Sequence, residues 1–129
     1  MEPKYPLDRV VAVAVDGGDL VLGKTRAALI VAAYIDGLVE AERFARAVVA
    51  GLRREHFEAS VELPEPPYAG LFDVYLTPLA LELVQRHGLD HVPSWYVKLK
   101  LLESDEGDSV VCVSLHPVER SSKKQGRKP

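Results

Sequence analysis

Hydrophobic positions fall into runs whose period changes along the chain, and each change predicts an element. Asp8 to Val15 is dense in Val and Ala and reads as a buried strand. Asp16-Gly17-Gly18 reads as a turn, since glycine takes positive φ without steric cost. Asp19 to Leu22 then reads as the return strand of an amino-terminal hairpin. Ala27 to Ile35 is apolar throughout, which allows either a buried strand or a buried helix. A strand is preferred, because Asp36 then caps the helix that follows.

That helix is expected over Leu38 to His56. Ala41, Phe44, Ala45, Val48 and Leu52 share one face at helical spacing. Glu40 and Glu42 near its start and Arg53 and Arg54 near its end suit the helix dipole. Glu58 to Leu63 alternates as a strand, so strand, helix and strand together suggest a right-handed crossover. Pro64, Pro66 and Pro67 mark a stiff loop, and Leu71 to Leu76 a short strand. A second helix is expected from Thr77 as N-cap and Pro78 as first residue, stopping at Gly88.

The clearest strands come last. Trp95, Val97, Leu99 and Leu101 alternate with Tyr96, Lys98 and Lys100, while Val111, Val113 and Leu115 alternate with Cys112, Ser114 and His116. Ser104 to Asp108 joins them as a hairpin loop. The sum is an α+β domain over residues 1–119: a two-layer sandwich with a mostly antiparallel sheet of five or six strands and two helices on one face. Its element order around the first helix resembles the ferredoxin-like class, with the amino-terminal hairpin added. The resemblance is of topology, which does not give function.

Composition sets the surroundings. The chain has 129 residues, 47% of them hydrophobic, with one cysteine and no asparagine. Amide poverty with abundant Glu, Arg and Lys is a bias of proteins from hot environments. No signal-peptide pattern opens the sequence and no apolar run is long enough to span a membrane, so a cytoplasmic protein is expected. Net charge is −3, unevenly placed. The last ten residues hold Arg120, Lys123, Lys124, Arg127 and Lys128 and no acid, leaving 11 bases against 19 acids in residues 1–119, a net of −8. The tail, 120–129, is expected to be disordered and to account for any nucleic-acid affinity.

Candidate chemistry is sparse. Gly18-Asp19-Leu20-Val21-Leu22-Gly23-Lys24-Thr25 matches the phosphate-loop pattern, in which small residues let backbone N–H groups wrap a phosphate. Leu20, Val21 and Leu22 are bulky for that task, so a hairpin is preferred; Asp36 or Asp73 would supply the magnesium-side acid otherwise. His87 and His91 are four apart, but Gly88 between them breaks the helix a metal pair needs. No metal, cofactor or catalytic set is therefore expected. Arg43, Arg46, Arg53 and Arg54 form a stripe on the first helix, read as a solvated face with Glu42 paired to Arg46.

The last hairpin carries the more specific idea. Pairing Glu103 near Ser109 sets Tyr96 opposite His116, Lys98 opposite Ser114 and Lys100 opposite Cys112, all on the sheet face away from Trp95. Three function classes follow. The first is a non-enzymatic binding or assembly module, expected as a homodimer through this face. The second is a nucleic-acid accessory protein using the tail and the Tyr96 face. The third is a nucleotide-dependent enzyme built on Gly18 to Thr25.

Overall fold

The computed structural model describes residues 2–23, 38–64, 69–88 and 94–118. Their element order is α1 (Leu7–Val15), β1 (Asp19–Leu22), α2 (Leu38–Ala50), a 3-10 turn (Arg54–His56), β2 (Phe57–Leu63), β3 (Gly70–Thr77), α3 (Leu81–His87), β4 (Trp95–Leu102) and β5 (Ser109–Pro117). The strands form one sheet in the order β1-β5-β4-β3-β2. β2 through β5 are an antiparallel meander, and β1 lies parallel to β5 at the edge. The α+β class is as expected, with a mixed five-stranded sheet and three helices among the described residues.

The amino-terminal hairpin is not present. The segment expected as its first strand is α1, because Val10, Val13 and Ala14, spaced three and four apart, are the buried positions. Strand alternation would have buried Val15, which is 64% exposed. Gly17, at φ 83°, turns the chain out of α1. β1 then follows β5, pairing Leu20 with Val110 and Leu22 with Cys112. This order does not place β1 in the centre of the sheet. Residues 24–37, which include the Ala27–Ile35 run and Asp36, lie outside the described residues.

Two helix boundaries also differ from the expectation. α2 ends at Ala50, and Gly51 and Leu52 turn back to the carbonyls of Val48 and Val49 before the 3-10 turn. Thr77 is the last residue of β3 rather than an N-cap, its hydroxyl donating to the Pro78 carbonyl at 2.9 Å. α3 begins four residues later and ends as expected at Gly88, which takes the left-handed conformation.

All three helices pack on the same sheet face. Val10 and Val13 of α1, Phe44, Val48 and Val49 of α2 and Leu83 of α3 meet Leu20, Tyr75, Trp95, Val97, Leu99, Cys112 and Leu115. Phe44 is the hinge of the packing, edge-on to both Trp95 (5.0 Å) and His87 (5.4 Å). One polar side chain of α2 fastens it to α1. Arg46 donates to the Val13, Ala14 and Gly18 carbonyls at 3.1, 3.3 and 2.8 Å, closing the end of α1. Arg43 pairs with Glu40 and Arg54 with Glu2, so the four arginines do not act as one stripe and Arg46 is not Glu42's partner.

Candidate functional site

The second face of the sheet carries no packed helix among the described residues. Three rows of side chains cross it. The first is Val21, Val111, Lys100, Phe72 and Val61. The second is Ser114, Lys98, Val74 and Ala59, and the third is His116, Tyr96 and Leu76. The face is mostly apolar, with two lysines on its central strand, and its Phe72, Val74 and Ser114 are buried within the chain.

The expected pairs Tyr96–His116 and Lys98–Ser114 are present. The third is not. A bulge between Lys98 and Leu99 shifts the register by one, so Lys100 faces Val111, and Cys112 pairs with Leu99 on the helix side. Cys112 is fully buried in the core, and burial pushes its thiol up to about 12. A thiol held neutral there is a packing group, not a nucleophile.

On the open face the rings and ammonium groups are already organised. Tyr96 stacks on His116, centroids 5.0 Å apart and planes 14° apart. His116 is fixed by its Nδ1–H, which donates to the Pro117 carbonyl at 3.0 Å. Lys98 Nζ lies 5.8 Å from the Tyr96 centroid, and Lys100 Nζ lies 5.4 Å from that of Phe72. Lys100 also donates to the Ala69 carbonyl at 3.1 Å. Burial raises the Tyr96 hydroxyl above the ordinary tyrosine value. Ser114 is buried, so it belongs to the floor rather than to the contact surface. A hollow of about 370 Å³ opens between Tyr96, Leu76, Val74, Val61 and Ala59, with Glu58 at its rim. Phe72, Val74 and Leu76 were read from sequence only as a short strand; the missed signal was that β3 is apolar on both faces.

The other sequence candidates separate. Gly18 lies in the turn, Asp19 to Leu22 is extended and paired to β5, and the Gly23 N–H donates to the Cys112 carbonyl at 2.8 Å. That extended backbone is not the wrap a phosphate cradle needs. Lys24 and Thr25 lie outside the described residues, as do His91 and the tail lysines and arginines. Asp73 is fully buried and committed: its carboxylate accepts from the Lys4 and Tyr5 N–H groups, both at 2.9 Å, and from the Ser60 hydroxyl at 2.6 Å. It holds the chain entering α1 against β3.

Two other clefts lie on the helix side. One, about 500 Å³, is ringed by Arg9, Asp16, Asp19, Glu106 and Asp108, with Arg9 held in a two-pronged pair by Asp108. The other, about 420 Å³, lies between the end of α2 and Thr77 to Leu83. There His56 Nδ1 accepts the Arg53 N–H at 3.1 Å. No protein family, curated protein or solved structure matches the chain.

Proposed function

We propose that the protein is a non-enzymatic binding module whose sheet face away from the described helices is its contact surface. One observation carries this: Val21, Val111, Val61, Leu76 and Tyr96 stand exposed or half-buried on a single face, around buried Phe72 and Val74, and no helix packs on that face among the described residues. The hollow beside Tyr96 supplies the pocket in which an anchoring side chain lodges.

Site-specific photo-crosslinking tests this in the cells that make the protein. A crosslinker replacing Lys98 is expected to give one discrete adduct, while the same group at Glu42, exposed on α2, gives none. An adduct of two chain masses identifies a second copy, and any other mass an external protein. Equal ladders from both positions contradict the proposal.

A further inference from the structure

We infer that the cleft between the end of α2 and the start of α3 binds a small carboxylate with an apolar body, held by Arg53 and His56. The cleft lies on the helix side of the sheet, so its role is independent of the opposite face. Its volume of about 420 Å³ falls at the lower end of the range of small-molecule sites. That volume equals roughly 14 waters at about 30 Å³ each, which suits a ligand of about ten non-hydrogen atoms. The floor is apolar. Val48 of α2 and Leu83 of α3 are buried there, with Ala47 and Leu79 half-buried beside them. An alkyl or aryl body covers this surface and releases its water. Thr77 also lines the cleft, but its hydroxyl is committed to the Pro78 carbonyl at 2.9 Å.

The remaining polar groups select the charge. Arg53 lines the cleft and, alone of the six described arginines, has no ion pair and no carbonyl partner. Arg9, Arg43, Arg54 and Arg86 are paired with acids, and Arg46 is bound to carbonyls. His56 Nδ1 accepts the Arg53 N–H at 3.1 Å, which leaves Nε2–H as the donor of the neutral ring. The 3-10 turn Arg54–His56 therefore sets a guanidinium and a ring N–H beside one apolar floor. Together they match the two oxygens of a carboxylate. Glu55 is the one acid among the described lining residues. It offsets one positive charge, so a singly charged carboxylate is favoured over a doubly charged phosphate. The larger cleft beside α1 lacks this pattern, because Asp108 already holds Arg9 and Asp16, Asp19 and Glu106 remain.

Hexanoate is the probe, titrated into the full chain and followed by amide correlation spectra in NMR. Saturating shifts are expected at Gly51, His56, Leu79 and Leu83, with neutral hexanol at least about tenfold weaker and inorganic phosphate not saturating. Arg53 is exposed, so Arg53→Gln keeps the fold, which circular dichroism checks. It is expected to bring hexanoate down to the affinity of hexanol, and Arg53→Lys to recover only part, since an ammonium keeps the charge without the fork. Gly51→Leu narrows the cleft and touches neither donor. A Cβ there meets the Val48 and Ala47 carbonyl oxygens at 3.7 and 3.8 Å, an ordinary contact. That variant is expected to weaken hexanoate and hexanol alike. Equal affinity for hexanoate and hexanol, saturation by phosphate, or no saturation by hexanoate overturns the inference. So does hexanoate binding that Arg53→Gln or Gly51→Leu leaves intact, or shifts confined to Leu76, Tyr96 and Lys98 on the opposite face.

Discussion

At the scale of single residues, stability turns on three buried polar groups. Asp73 accepts three hydrogen bonds with no exposure to solvent. Asp73→Ala strands two N–H groups and the Ser60 hydroxyl, and is expected to cost about 3 kcal/mol in urea unfolding. The Tyr75 hydroxyl is buried with no hydrogen-bond partner among the described residues, and burial pushes it up to about 12. Tyr75→Phe removes an unpaired polar atom and keeps the ring against Phe57, so it is expected to be neutral or stabilising by up to about 1 kcal/mol. Tyr75 and Cys112 both have folded values raised above their ordinary 10.0 and 9.0. Well below pH 9 both states hold these protons. As pH rises toward 12 the unfolded chain releases them first, so stability falls through that window. Cys112→Ala is expected to flatten the loss between pH 9 and 10, read from unfolding midpoints at stepped pH.

At the scale of elements, the joints matter more than the helices' own propensities. α1 is Val-rich and 9 residues long, a poor helix in isolation. It persists because Val10, Val13 and Ala14 are buried and Arg46 satisfies its last carbonyls. Arg46→Ala is expected to cost about 2 kcal/mol, and Arg46→Lys to recover little, since one ammonium cannot span three carbonyls as the guanidinium fork does. Hydrogen exchange in α1 is the sharper readout: its amides should lose protection while those of β4 keep theirs. These joints also explain what the sequence hid. Alternation made β4 legible, because it buries every second residue on the helix face, and β2 legible, because half-buried Ala59 and Val61 alternate with exposed Glu58, Ser60 and Glu62. α1 alternates Val and Ala by accident of composition, and only packing against α2 decides between the periods. The parallel pairing of β1 with β5 has no local signal, since it joins residues some ninety apart. The bulge after Lys98 is equally silent, and it alone moved Lys100 and Cys112 to opposite faces.

At the scale of the whole molecule, charge and shape point to one face. Residues 1–119 carry a net charge of −8, yet the sheet face away from the described helices presents Lys98, Lys100 and His116. The basic last ten residues are a separate matter. Ending the chain at Glu119 is expected to leave the melting temperature unchanged, while any nucleic-acid affinity of the full chain vanishes and, when present, falls steeply with salt. The central claim is that the sheet face is covered when the protein works. Lysine labelling with an N-hydroxysuccinimide ester tests it most directly, by comparing the purified chain with intact cells. Lys98 and Lys100 are expected to lose several-fold of their reactivity in cells, while Lys4, exposed at the start of the chain, keeps its own. Equal reactivity ratios at all three lysines contradict the account.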